Sequence, residues 1–151
     1  VNMGAWAYCD SYLYDQLKLF RDVHRDSGFF AFQKFVSLYS FLPEYYRKNR
    51  DRLLGPEGGW KELNNNYQAH ERLVEACLHH DVRGRLQQIK APCLIIHAAK
   101  DLVTGPRTTL PIEKELPNAK GATMKEAAHV VAGKKQKMEF CEILFSFLHQ
   151  H

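Results

Sequence analysis

The hydrophobic and polar positions divide the chain into two parts of different character. Up to about residue 80, apolar residues recur at helical spacing after a short strand that ends near Gly4. From Pro92 onward, short apolar runs alternate with amphipathic segments. Because strands that alternate with helices usually pair in parallel, the second part predicts an α/β fold with a parallel sheet.

The first part contains a series of predicted helices, each bounded by a residue that caps or breaks a helix. They span about residues 10–25, 29–41, 43–53 and, as one or two helices, 60–79. Gly28 separates the first two, and a glycine-rich loop at 55–59 precedes the last. The core face of the last segment is predicted to include Leu73 and Val74.

The second part is predicted to hold two strands and two helices in alternation. They span residues 93–97, about 106–115, about 119–124 and about 134–148. The run at 93–97 is continuously apolar, which is typical of a central strand covered on both faces. Because two or three parallel strands do not form a stable sheet alone, we expect further strands from another piece of polypeptide.

The composition narrows the class of protein. The 151 residues are enough for one domain, and 45% of them are hydrophobic. The 21 Lys and Arg residues are scattered among 17 acidic ones, so the net charge of +4 predicts a solvated surface and no nucleic-acid partner. No apolar run approaches the roughly 20 residues that span a bilayer, so no membrane association is expected.

The four cysteines have neither disulfide nor metal spacing. They are Cys9, Cys77, Cys93 and Cys141. Their apolar neighbours predict buried, reduced thiols and a cytoplasmic location. The sequence His-His-Asp at 79–81 resembles a ligand cluster, but adjacent residues of a helix point about 100° apart. We therefore expect no metal site, and nothing in the sequence calls for a cofactor.

Two residues that suit acid–base chemistry follow the two predicted strands of the second part. Asp101 comes shortly after the first strand, and His129 comes shortly after the second. Alone, Asp101 could be a loop acid that caps the helix beginning near Pro106 or that faces water, and His129 could be a surface loop residue. Together they lie where open parallel sheets place their sites, in the acid-then-histidine order of hydrolytic triads on such sheets. Asp101 would then accept the Nδ1 proton of His129, which would act as general base and acid.

A nucleophile for this pair is not predicted within the chain. On parallel sheets it sits at a strand-to-helix turn in the pattern Gly-x-Ser-x-Gly. None of the serines or cysteines has glycines at both of these flanking positions. We therefore expect the chain alone to be inert in acyl transfer.

The helix predicted at 29–41 is unusually aromatic, and it includes Phe35 and Tyr39. One interpretation is an ordinary helical core. The other is a lid whose aromatic side chains line an apolar pocket for substrate. The sequence leaves both interpretations open.

Three stretches of the chain resemble α/β-hydrolases. Residues 6–13 (WAYCDSYL) are similar to the entry to the cap of 3-oxoadipate enol-lactonase-like hydrolases and of the aminoacrylate hydrolases of pyrimidine breakdown. Residues 80–86 (HDVRGRL) resemble the exit from that cap, and 101–104 (DLVT) resemble the turn that carries the acid. The resemblance implies the C-terminal part of an α/β-hydrolase parallel sheet, preceded by a helical cap.

The resemblance also implies a division of the chain and a set of site residues. Residues 1–5 would end strand six, 6–90 would form the cap or lid, and 91–151 would contain strands seven and eight and the last helix. Asp101 would be the triad acid and His129 the base. Trp6, Val103 and Val130 would lie near a small acyl substrate, such as an ester or a lactone.

Two further expectations concern partners and alternative functions. The nucleophile would belong to an N-terminal half of the hydrolase, either a separate chain or a segment that has been removed. The alternative is a catalytically inactive interaction module of the same fold, for which exposed sheet edges predict a homodimer. A non-hydrolytic member of the fold, such as a lyase or an acyltransferase, is a third hypothesis.

Overall fold

A computed structural model of the chain describes residues 1–55 and 66–150, which form two compact units. The sheet unit consists of Val1–Tyr8 and Asp81–His151, and the helical unit of Cys9–His80. The segment 6–90, predicted as one helical region, therefore contributes its two ends to the sheet unit. No helix in the described ranges has the length and apolar character needed to cross a membrane.

The described part of the helical unit contains three helices: α1 (Ser11–Ser40), α2 (Pro43–Leu54) and α3 (Tyr67–Leu78). They lie where the pattern predicts helices at 10–25, 29–41, 43–53 and in the second half of 60–79. Most of the loop predicted at 55–59, and residues 60–65, lie outside the described residues.

The start and the break of α1 follow from single residues. Asp10 caps the helix by accepting a hydrogen bond from the backbone N–H of Leu13 at 2.8 Å. At Gly28 the backbone leaves the helical region, with φ of 80° and ψ of 172°. Because this positive φ favours glycine, Gly28 divides α1 into the two helices that the sequence predicts.

Polar contacts join α1 to α3. Nδ1 of the buried His24 lies 2.9 Å from Nδ1 of His70 on α3, and the His24 ring stacks on Phe32 at a centroid distance of 5.0 Å. An ion pair of 2.9 Å joins Arg21 to Glu75, also on α3. The helices are thus held together by paired polar groups beside the aromatic core.

The sheet unit contains three parallel strands in the order β1 (Asn2–Met3), β2 (Cys93–Ala98) and β3 (Ala119–Met124). Helix α4 (Pro106–Glu115) follows β2, and α5 (Gly133–Leu148) follows β3. The predicted α/β alternation is confirmed. The paired residues run from Cys93 with Ala119 to Ala98 with Met124, so β2 and β3 end at the same level.

The central strand β2 is buried on both faces, because successive side chains of a strand point in opposite directions. One apolar cluster consists of Leu94, Ile96, Ala98, Met124, Ala127 and Phe147. The other consists of Ala7, Ile95, Ile112 and Leu116. These clusters account for the uninterrupted apolar run that predicts a central strand.

Two predicted core residues are exposed instead. Leu73 of α3 is 66% exposed, and only its neighbour Val74 points inward. Cys141 of α5 is also exposed, while the other three cysteines are half-buried. All four thiols are free. Helical spacing overestimated the width of the apolar face of α3, and apolar neighbours in the sequence did not ensure burial of Cys141.

A buried polar cluster ties α4 to the sheet at His97 of β2. Nδ1 of His97 lies 2.6 Å from the hydroxyl of Thr109, and Nε2 lies 2.6 Å from a carboxylate oxygen of Glu113. Because a carboxylate only accepts, Nε2–H of His97 donates to Glu113. Gly121 of β3 makes room for this carboxylate, since a Cβ there would lie 2.4 Å from Oε1 of Glu113.

Gly121→Ala is predicted to destabilise the protein by displacing the Glu113 side chain from His97. The added methyl group cannot coexist with the present carboxylate position, so the buried ring loses an acceptor. We expect a loss of about 1 to 3 kcal/mol in the free energy of unfolding, measured in urea. As the control, the same substitution in a Glu113→Ala background should cost nothing further. An equal loss in both backgrounds would contradict the explanation.

The helical unit is predicted to lose stability in mild acid through His70. Burial, the adjacent His24 and Arg21 lower the pKa of His70 below its usual value. The unfolded chain therefore takes up the His70 proton first, and stability falls as pH drops below about 6.5. The loss between neutral and acidic pH should be smaller in His70→Gln, which keeps hydrogen-bonding groups but does not titrate. If the urea midpoints of wild type and His70→Gln fell by the same amount over that pH range, the role of His70 would be refuted.

Candidate active site

The acid of the predicted pair lies in the turn that follows β2. The backbone N–H of Asp101 bonds to the carbonyl of Ala98 at 3.1 Å, which closes the turn directly after the strand. The Asp101 side chain is only 1% exposed. Its Oδ1 accepts the backbone N–H groups of Val103 at 2.7 Å and Thr104 at 3.0 Å. The turn itself therefore satisfies one oxygen and fixes the direction of the other.

The histidine of the predicted pair, His129, lies in the loop that follows β3. Nδ1 of His129 is 3.0 Å from Oδ2 of Asp101, and the His129 side chain is 33% exposed. The structure thus brings together the two residues that the sequence pairs. With Nδ1 committed to a buried carboxylate, Nε2 is the ring nitrogen available for proton exchange.

Backbone hydrogen bonds join the acid turn to the histidine loop. The N–H of Ala99 donates to the carbonyl of Met124 at 3.1 Å, and the N–H of Lys100 donates to the carbonyl of Ala127 at 2.9 Å. These bonds continue the pairing of β2 with β3 beyond the strand ends. The separation of Asp101 and His129 is therefore set by the backbone as well as by their own side chains.

Gln136 of α5 holds the other end of the histidine loop. Its side-chain amide donates to the carbonyl of Glu126 at 2.6 Å and accepts the N–H of Ala132 at 3.0 Å. The second bond satisfies a backbone donor at the start of a helix that has no capping side chain of its own. Sequence reasoning missed Gln136; its position in the first turn of a helix without a polar cap was the available signal.

The charge state of Asp101 is set by opposing effects. Burial raises the pKa of the carboxyl group. The hydrogen bond and charge of His129 and the two backbone N–H groups lower the pKa by more, so the net shift is downward. Asp101 is therefore a carboxylate near neutral pH, as a hydrogen-bond acceptor from an imidazole must be.

Two residues that sequence reasoning missed contact the pair. The hydroxyl of Thr104 lies 3.2 Å from Nδ1 of His129 and 3.4 Å from Oδ2 of Asp101. Gly4, which follows β1 with φ of 69°, is so close that a Cβ there would lie 3.3 Å from that hydroxyl. The sequence signals were a threonine three residues after the acid and a glycine at a strand end.

The five predicted substrate contacts are divided between the two units. Trp6 and Val130 are half-buried in the sheet unit, and Val103 is buried in the acid turn. Phe35 and Tyr39 belong to the helical unit, where their ring centroids lie 5.0 Å apart. Both rings also meet Phe20 edge-on, at 5.5 and 5.7 Å. Contact of these five residues with a substrate stays a prediction.

The described residues do not assemble a metal centre. Within 1–55 and 66–150, no three His, Cys, Asp or Glu side chains converge as ligands. The histidine at the start of the sequence cluster 79–81 instead points its Nδ1 at the carbonyl of Glu75, at 2.7 Å. At the Asp101–His129 pair, the 3.0 Å contact at Nδ1 orients an imidazole that can transfer protons at Nε2.

Asp101→Asn is predicted to change how the free energy of unfolding depends on pH in the acidic range. Because the folded pKa of Asp101 lies below its unfolded value, its contribution is complete above about pH 4 and is lost as pH falls through the folded pKa. The difference in unfolding free energy between wild type and variant should therefore shrink below about pH 4. Asp51→Asn, at a side chain 98% exposed, is the control and should differ from wild type by less than about 0.5 kcal/mol. A difference for Asp101→Asn that is constant with pH would oppose the assignment.

Comparison with known proteins finds similar solved structures but no similar sequence family. No protein-family model and no curated protein sequence matches the chain. Among solved structures, the enol-lactonase from Burkholderia xenovorans aligns with a TM-score of 0.80 at 18% identity, over 97% of this chain and 54% of that one. An α/β-hydrolase enzyme from a Medee basin deep-sea metagenome library aligns with a TM-score of 0.79 at 21% identity, over 99% and 55%.

A thermophilic esterase from Thermogutta terrifontis aligns with a TM-score of 0.75 at 12% identity, over 98% of this chain and 54% of that one. The chain thus spans about half the length of the structures that it matches, and it corresponds to their C-terminal portion. Because the sequence identities are only 12% to 21%, the similarity shows a shared fold and nothing more. The chain has the fold of the C-terminal portion of an α/β-hydrolase, with a parallel sheet preceded along the sequence by helices.

Proposed function

We propose that this chain supplies the acid and the histidine of a serine-type catalytic triad that acts on an ester, a lactone or a related acyl substrate. The observation that carries the proposal is the 3.0 Å hydrogen bond between Oδ2 of Asp101 and Nδ1 of His129. Both residues follow adjacent parallel strands that end at the same level. Open parallel sheets place their active sites at such strand ends.

The proposed mechanism assigns one role to each side chain. His129 takes the proton of the nucleophile at Nε2 and later delivers it to the leaving group. Asp101 holds the ring by Nδ1 and stabilises the imidazolium that forms during each step. Because the Asp101 carboxylate is buried and its Oδ1 is already bonded to two backbone N–H groups, it is preorganised for this charge.

The nucleophile is proposed to belong to the N-terminal half of such a hydrolase, outside these 151 residues. The chain itself has no serine or cysteine in the Gly-x-Ser-x-Gly arrangement. Two further features support a partner segment. The short strand β1 pairs with β2, and no other strand of the described residues pairs with it. The chain also aligns with only about 55% of the length of each of these structural neighbours.

The substrate class is proposed from the neighbours and from the predicted site residues. An enol-lactonase and an esterase share the fold, and both names denote acyl substrates. We propose that the helical unit is the cap of this hydrolase and that Trp6, Val103 and Val130 contact the acyl group. Phe35 and Tyr39 are proposed as aromatic contacts from the cap. The cytoplasmic location stays a prediction.

A second candidate function is an inactive interaction module that forms a homodimer. It is favoured by one observation, an exposed apolar stripe on α5. Met138, Phe145 and Leu148 are each at least half exposed, and their spacing places them on one helical face. In the first proposal this stripe contributes instead to contacts with the N-terminal half.

Mixing the chain with an N-terminal half that carries Gly-x-Ser-x-Gly is predicted to produce hydrolysis of a p-nitrophenyl ester that neither piece shows alone. Asp101→Asn should reduce the gained rate by about 10⁴-fold, because it disfavours the required tautomer. His129→Ala should reduce the rate by at least about 10³-fold, because it removes the general base.

Asp51→Asn is the matched control and should retain the full rate, since Asp51 is exposed on α2. Reconstituted activity that survives either substitution at the pair would contradict the triad assignment. Gel filtration tests the second function. A stable dimer that does not exchange with the N-terminal half would favour the interaction module.

A further inference from the structure

The loop that carries His129 has few backbone contacts of its own. It begins after β3, which ends at Met124, and it ends where α5 starts at Gly133. In the part of the chain that the structure describes, no hydrogen bond between backbone groups involves residues 128–131. The position of the imidazole therefore depends on what fixes the two ends of the loop.

One side chain, that of Gln136, connects these two ends. Its amide N–H donates to the carbonyl of Glu126 at 2.6 Å, and its Oε1 accepts the N–H of Ala132 at 3.0 Å. Glu126 lies three residues before His129, and Ala132 lies three residues after it. The carboxylate of Glu126 is also paired with Lys100, the residue that precedes Asp101. The two bonds of Gln136 thus bracket the histidine and connect α5 to the acid turn.

Apolar packing holds the loop against the sheet in a different way. Ala127 belongs to the buried cluster formed by β2, β3 and α5, and Val131 packs against that cluster. The side chain of His129, by contrast, is 33% exposed. Packing therefore sets how close the loop lies to the sheet, whereas the bonds of Gln136 set how far apart its ends lie.

From these contacts we propose that Gln136 is a positioning residue that ties the two ends of the histidine loop together and so holds the imidazole of His129 at Asp101. The 3.0 Å contact between Nδ1 and Oδ2 joins two separate loops, and such a bond weakens steeply when it lengthens or tilts. The inference rests on the proposed role of the Asp101–His129 pair. Gln136 acts through the backbone of the loop and does not itself contact the reacting atoms.

The competing role for Gln136 is that of an ordinary helix cap. Helix α5 has no capping side chain at Ala132, and Oε1 of Gln136 accepts the N–H of that residue. A cap needs only an acceptor, and a carboxylate would serve well because negative charge is favourable at a helix N-terminus. The bond to the Glu126 carbonyl needs a donor, which a carboxylate is not. Gln136→Glu therefore separates the two roles.

Exchange of the Nδ1 proton of His129 with water, measured by nuclear magnetic resonance in the intact chain, tests the inference without any substrate. The Nδ1–H signal is assigned by its loss in His129→Ala. Gln136→Glu should accelerate the exchange about three- to tenfold, because a loop released at one end lets the imidazole leave the carboxylate more often. Gln136→Met, which removes both bonds, should accelerate it by at least as much.

Two controls lie in the same unit. The Nε2–H of His97, which donates to Glu113 at 2.6 Å, is the internal reference and should keep its wild-type exchange rate in every Gln136 variant. Gln87→Met makes the same substitution at an exposed glutamine and should change neither signal.

The outcomes separate a tie across the loop from a cap and from general stability. Unchanged exchange at His129 in Gln136→Glu would overturn the inference, because capping alone would then account for Gln136. Equal acceleration at His97 would also overturn it, since the whole unit would have lost stability. So would a wild-type His129 without an observable Nδ1–H.

The wild type decides the matter if the variants fail to fold. The side-chain amide protons of Gln136 should exchange more slowly than those of the exposed Gln87, and equal rates would overturn the inference. In the reconstitution experiment, failure of the wild type would oppose the proposed catalysis, whereas the exchange rates decide the role of Gln136.

Discussion

The parallel pairing of β2 with β3 is the constraint on which the candidate site depends. Its register, from Cys93 with Ala119 to Ala98 with Met124, makes the two strands end side by side. The backbone bonds of Ala99 and Lys100 then carry the pairing into the loops. A slip of one residue would turn every side chain of a strand to the opposite face and would misplace the residues that follow it. Apolar packing on both faces of β2 makes such a slip costly.

The sequence predicts most of this fold because its signals are local. Gly28, Pro43 and Pro106 mark the break or start of helices through their own backbone preferences, and the structure places each as predicted. The contact of Asp101 with His129 is also accessible from sequence, since strand order alone brings the two loops to one edge of the sheet. Neither inference requires knowledge of distant packing.

The parts that sequence reasoning missed depend on contacts between distant segments. Thr104 follows the acid by three residues and Gly4 ends a strand, but their approach depends on the pairing of β1 with β2. Likewise, Gly121 looks like a defect in a weak strand until the position of Glu113 is known. The exposure of Leu73 has the same cause, since periodicity shows which side chains share a face but not what covers that face.

The acid turn shows why stability and the proposed catalysis depend on the same bonds. A carboxylate as buried as Asp101 is unfavourable unless its oxygens are bonded, and burial indeed opposes its charge. Oδ1 is satisfied by the backbone of its own turn, which any sequence able to form that turn would supply. Oδ2 instead contacts side chains, that of His129 from the loop after β3 and that of Thr104 from the same turn. The hydrogen bond that orients the imidazole of His129 therefore also stabilises the buried charge of Asp101.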